Sequence, residues 1–99
     1  MALYLVSYDV NEKDKDEYQE LWDYFDSLKA QKILYSEYAV PFVGTALELA
    51  NKINAHLKKA DCFLVCELFD GAGPTAWRNL RISDDAFKKM LTAHARTLQ

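Results

Sequence analysis

Along this 99-residue chain, short unbroken apolar runs alternate with polar stretches in which apolar residues recur every three or four positions. The run at 3–8, LYLVSY, has the pattern of a strand buried on both faces. Residues 9–11 end it, and Asn11 or Asp14 can cap the helix that follows. Tyr18, Leu21, Trp22, Phe25 and Leu28 form that helix's apolar stripe. Residues 32–40, KILYSEYAV, mix aromatic and β-branched side chains and predict a second strand, which Pro41 ends or breaks before a short third one. Thr45 and Glu48 have capping-box spacing, and Ala46, Leu49, Ala50, Ile53 and Leu57 make a second helical stripe. Residues 62–69, CFLVCELF, predict another strand, and 70–74, DGAGP, a turn. Residues 76–82 predict a short edge strand. Ser83 then caps a last helix carrying Phe87, Met90, Leu91 and Leu98, with Ile82 and Phe87 spaced as a hydrophobic staple.

The pattern therefore predicts strands at 3–9, 32–40 and 62–69, with helices near 13–29 and 44–59 packed on one sheet face. That order implies an α+β fold, a ferredoxin-like βαββαβ sandwich with an antiparallel sheet. The length suits one domain spanning 1–99, with its core in 1–70 and a strand-helix extension in 71–99. Two helices cover only one face, so the apolar strands predict a homodimer that covers the other.

Charge narrows the function classes. Fifteen acids against twelve bases leave a net charge of −3, which is not the footprint of a protein that coats nucleic acid. The distribution is uneven: residues 11–26 hold seven acids and two lysines, whereas 77–99 hold five bases and two acids. Cys62 and Cys66 on one strand point to the same face roughly 13 Å apart, too far for a disulfide. Reduced, buried cysteines in a cytoplasmic protein fit that spacing. The N-terminal run is too short for a signal peptide, and no stretch is long enough to span a membrane.

Asp9 is the residue most relevant to chemistry. A carboxylate closing an apolar strand is a common turn former. The same carboxylate can be one half of a metal site, if a dimer supplies the second. Ser7 shares its strand face and can bond a phosphate or fill a tight sheet position. Glu37 is either a second acid near the site or a charge guarding an edge strand. His56 and His94 lie on helices without a third ligand, and His94 falls on an apolar stripe. Trp77, Arg78 and Arg81 form an aromatic-basic cluster, able to stack a base and hold phosphate or to anchor a dimer interface through Trp77. No Gly-rich phosphate loop, nucleophile elbow or metalloprotease motif is present.

YLVSYDV followed by a polar helix, then ILYSEYAVPF, a helix and CFLVCELF, resembles the small CRISPR-associated adaptation proteins of the Cas-two type. It is similar also to their SinR-like relatives and, more distantly, to VapD-type toxins, over roughly residues 3–70. The resemblance implies a ferredoxin-like homodimer in which the two Asp9 carboxylates approach across the axis. It implies a magnesium ion held there for hydrolysis of RNA or DNA, although several family members act as non-catalytic nucleic-acid scaffolds. Family members of the CRISPR type follow the aspartate with arginine-bearing segments. Here NEKDKDEYQE stands in that place, which favours the SinR-like branch.

Overall fold

The computed structural model describes residues 1–10 and 18–98. The predicted caps Asn11 and Asp14, and the predicted first turn of the helix from residue 13, lie outside the described residues. The described elements are β1 (Ala2–Asp9), α1 (Gln19–Ser27), β2 (Gln31–Leu34), β3 (Glu37–Phe42), α2 (Ala46–Asn54), β4 (Cys62–Asp70), α3 (Asp84–His94) and β5 (Arg96–Thr97). They build an α+β architecture around one five-stranded mixed sheet of order β2-β3-β1-β4-β5. The first four strands are antiparallel neighbours, and the two-residue β5 joins β4 in parallel.

β1 is central, and its alternation organises two cores. Ala2, Tyr4 and Val6 point to the face covered by α1 and α2, where they pack with Leu21, Phe25, Val40, Leu49 and Ile53. Leu3 points to the other face and packs with Ile33, Ala39, Phe87, Met90 and Leu91, with Leu5 and Leu68 beside them. Both predicted helices therefore share one face. The second face, expected to need another subunit, is partly covered by the chain's own α3.

The segment before α3 departs from expectation. Residues 76–82 form a loop rather than an edge strand. Asn79 adopts φ 55°, which breaks an extended path, and Trp77, Leu80 and Ile82 turn inward against the second core. The break expected at Pro41 falls instead at Tyr35–Ser36, between β2 and β3. Pro41 lies within β3 opposite Leu3. The Tyr8 N–H bonds the Ser36 carbonyl (3.0 Å), so even-numbered β1 residues hydrogen-bond toward β3. Pro41, opposite an odd one, turns its missing donor outward. There β2, whose pairing reaches only Ala39, offers no partner, and the proline costs no ladder bond.

Cys62 and Cys66 share one face as expected, yet both are exposed. They lie on β4 opposite Asp9 and Leu5, toward the end of the second face that α3 leaves open.

Helix ends follow local chemistry. Thr45 and Glu48 form the predicted capping box, with reciprocal bonds of 3.1 and 3.2 Å. Ser83 Oγ accepts from the Ala86 N–H at 3.1 Å, and Ile82 and Phe87 pack into the same core. α1 closes with a Schellman pattern: Ala30 N–H bonds the Phe25 carbonyl and Lys29 N–H the Asp26 carbonyl, both at 3.0 Å. That places Lys29 at φ 60°, a left-handed position that favours glycine. Lys29→Gly should therefore raise unfolding stability by about 0.5–1 kcal/mol, the strain relief slightly exceeding glycine's extra unfolded entropy. Chemical denaturation measures it, and a destabilised variant would refute the strain.

At the far end of the sheet, Arg96 on β5 clasps Glu67 on β4 through two bonds of 2.6 and 2.5 Å. The hydrogen-bonded guanidinium holds the Glu67 carboxyl below the usual carboxylate range.

Candidate functional site

β1 delivers Asp9 to the sheet end that α3 does not cover. Asp9 is the last residue of the strand and is exposed. Its carboxylate has no hydrogen bond or ion pair among the described residues. Ser7, two residues earlier, projects from the same face. It stands directly opposite Glu37 on β3 and Leu64 on β4. Glu37 is thus the cross-strand diagonal neighbour of Asp9, a relation that puts Cα atoms roughly 7–8 Å apart. The structure so gathers Ser7, Asp9 and Glu37 at one strand end, with exposed Leu64, Cys62 and Cys66 alongside.

A metal would find only part of its coordination here. No group of three or more His, Cys, Asp or Glu able to hold an ion occurs among the described residues. One chain offers the Asp9 carboxylate, with Glu37 across the diagonal. The Asp9 and Glu37 oxygens suit a hard ion that keeps several waters, such as magnesium, whereas the Cys62 thiol directly opposite Asp9 is a soft donor.

The other predicted residues are dispersed. Trp77 packs edge-on against Phe87 of its own chain, ring centroids 4.7 Å apart, and its indole N–H donates to Asp84 (3.2 Å). Arg78 and Arg81 are exposed. Arg81 is tied to β2, its backbone N–H bonding the Ile33 carbonyl at 2.9 Å. Because β2 is the sheet edge, two strand spacings, roughly 10 Å, separate it from β1. Arg81 therefore neighbours Lys32 rather than Asp9.

Neither histidine joins the acids. His94 Nδ1 lies 3.0 Å from the Met1 sulfur, at the opposite end of β1, roughly 26 Å from Asp9 along the strand. His56 stacks on Tyr24 and approaches Glu20 at 3.8 Å, beside the α1–α2 layer.

Sequence reasoning missed an aromatic groove of about 580 Å³ lined by Tyr8, Tyr18, Gln19, Trp22, Lys32, Tyr35 and Tyr38. Trp22 and Tyr18 read as helix stripe, and Tyr35 and Tyr38 as strand. The available signal was the Tyr spacing around Ser36, which the hairpin turns toward α1.

No helix among the described residues is long and apolar enough to cross a membrane. Compared with family models, with curated proteins and with solved structures, the chain shows no match.

Proposed function

We propose that this chain is a ferredoxin-like, Cas-two-like or SinR-like protein that works on nucleic acid as a homodimer, with Asp9 as the ligand of a catalytic magnesium ion. The observation that carries this reading is the Asp9 carboxylate, exposed at the end of the central strand and sharing its face with Ser7 and Glu37. The βαββαβ order of the first four strands, with α1 and α2 on one face, supports the ferredoxin-like assignment.

The uncovered end of the second face supports a dimer. Leu64 is 62% exposed there, flanked by Cys62 and Cys66. Two sheets packed through such faces lie about 10 Å apart, a gap that two Asp9 side chains and a hydrated ion can fill.

Magnesium, when bound, polarises a phosphoryl oxygen and acidifies a water. Asp9 anchors the ion and Glu37 orients its waters. The Ser7 hydroxyl donates to a phosphate oxygen, and Arg78 and Arg81 hold the nucleic acid farther out. Purified protein at micromolar concentration should sediment as a dimer and cleave single-stranded RNA or DNA with magnesium, cleavage stopping with chelator. A monomer, or cleavage indifferent to chelator, would overturn the reading.

A second reading has its own observation. The outer edge of β4 from Cys62 to Leu68 has no partner strand among the described residues, β5 reaching only Phe69 and Asp70. An open edge is a template for an added strand, which suits a non-catalytic scaffold or partner-binding module. Magnesium-independent capture of a partner, with no cleavage under any condition, would favour it.

A further inference from the structure

Sheet edges in stable proteins are blunted by charge, proline or a bulge, because their unpaired N–H and C=O groups recruit other strands. The outer edge of β4 carries none of these over residues 62–66, CFLVC. Its register against β1 runs without a shift from Cys62 to Leu68, so no bulge turns the edge away. Beyond that stretch the edge is closed. Arg96 clasps and neutralises Glu67, and β5 lies beside Phe69 and Asp70.

The ladder decides which groups the open stretch presents. Even-numbered β1 residues hydrogen-bond toward β3, as the Tyr8–Ser36 bond shows, so odd-numbered ones bond toward β4. Leu5, Ser7 and Asp9 therefore take up the backbone groups of Cys66, Leu64 and Cys62. Phe63 and Val65 turn theirs outward. The side chains of these two pack against the first core, whereas Cys62, Leu64 and Cys66 stand exposed on the second face.

We propose that this edge pairs antiparallel with the same edge of a second copy, about an axis at Leu64 that sets each Cys62 opposite the partner's Cys66. The stretch is complementary to itself, as a two-fold contact requires. Phe63 and the partner's Val65 exchange both outward backbone bonds and form an aromatic–β-branched cross-strand pair. Leu64 meets its own copy on the axis, and no charge falls between Cys62 and Cys66. Sliding the partner two residues toward Phe69 drives it against β5, and sliding it two residues the other way leaves Val65 without a strand partner. Cys62 and the partner's Cys66 form a non-hydrogen-bonded pair, with Cα atoms about 4.5 Å apart, inside the roughly 4.4–6.8 Å that a disulfide spans. A small-molecule disulfide such as oxidised glutathione closes the bridge. One cysteine thiolate attacks it and releases a glutathione thiolate, and the opposed thiolate then attacks the mixed disulfide and releases the second. The two cysteines lose two protons and two electrons, and the oxidant takes up both electrons. The inference rests on the second reading above, the open β4 edge, and names its occupant. It requires neither Asp9 nor a metal: the two Asp9 Cα atoms stand roughly 20 Å apart across this axis, so an ion shared by two Asp9 residues belongs to a different contact.

The test is oxidation of the full chain with oxidised glutathione, read as covalent dimer on non-reducing gels. The parent protein should yield a dimer that reductant dissolves. Cys62→Ser alone and Cys66→Ser alone should yield none, because each leaves its like cysteines roughly 14 Å apart across the axis. An equimolar mixture of the two variants should restore the covalent dimer, at lower yield than the parent, since only unlike pairs carry an opposed Cys62 and Cys66. Leu64→Lys should abolish it by setting two ammonium groups against each other on the axis, and Leu64 is exposed enough for the fold to stand. A covalent dimer from either single variant alone, or none from the mixture, would overturn the proposal. Amide hydrogen exchange of the reduced protein separates this inference from the reading beneath it. The Phe63 and Val65 amides should be protected in concentrated protein and exchange freely on dilution. Free exchange at every concentration would strike the self-pairing and leave the edge open to another strand. Protection that persists in Leu64→Lys would mean that the chain itself covers the edge, and the open-edge reading would fall with the inference.

Discussion

Phe87→Ala should cost about 3–5 kcal/mol of unfolding free energy, the range for truncating a buried aromatic side chain. Phe87 is fully enclosed, and it lies where α3 meets β1, β2 and β3 through Leu3, Ile33 and Ala39. The cavity would also undercut Trp77, whose ring meets Phe87 edge-on. Domains of this size hold about 5–15 kcal/mol in total, so the variant stands near the limit of folding. The loss should be global rather than a local detachment of α3. Leu3 and Ala39 sit on the same strands as Tyr4 and Val40 of the first core, so water reaching one face loosens strands that hold the other. Urea denaturation followed by far-UV circular dichroism measures it. Leu47→Ala, at an exposed site on α2 outside both cores, is the comparison and should change stability by no more than about 0.5 kcal/mol. A loss below about 1 kcal/mol for Phe87→Ala would mean that α3 is not part of the folded core.

The two-sided burial of β1 was legible, because residues 3–8 lack the polar alternation of a half-solvated strand. What covers its second side was not. A helical stripe such as Phe87, Met90 and Leu91 shows that a face is buried but not against which sheet surface, so the pattern alone points to another subunit for the second face. The hairpin at Tyr35–Ser36 was hidden for a different reason. It uses no Gly, Asn or Asp, whereas Pro41, five residues after Ser36, carries a breaker signal that the open side of β3 makes harmless. The exposure of Cys62 and Cys66 was concealed by the apolar run around them. Their burial depends on how far α3, eleven residues long, extends over the sheet.

The candidate site divides in the same way. Ser7, Asp9 and Glu37 follow from strand periodicity and register, and the chain alone suggested each of them. The link between Arg81 and Lys32 depends on one backbone bond between residues far apart in sequence, Arg81 to Ile33, and no local pattern encodes it.

Asp9→Asn is the change expected to remove cleavage while leaving the molecule otherwise as it was. The amide keeps the shape and one oxygen of the carboxylate but loses the negative charge that holds a hard cation against its hydration shell. Altering even an outer-shell partner costs a metal site roughly 10–100-fold in affinity or activity, and loss of a direct ligand should exceed that. Magnesium-dependent cleavage should therefore fall at least about 100-fold. Stability should stay within about 0.5 kcal/mol, because Asp9 is exposed and makes no hydrogen bond or ion pair with the described residues. Without metal, two carboxylates brought together across a dimer axis repel, so the asparagine dimer should be as tight as the parent or tighter. Isothermal titration with magnesium, a cleavage time course and sedimentation of both proteins separate these effects. Equal cleavage by the two proteins would remove Asp9 from the chemistry. A dimer weakened by the substitution would show that the carboxylate serves the interface as a hydrogen-bond acceptor rather than a metal as a ligand.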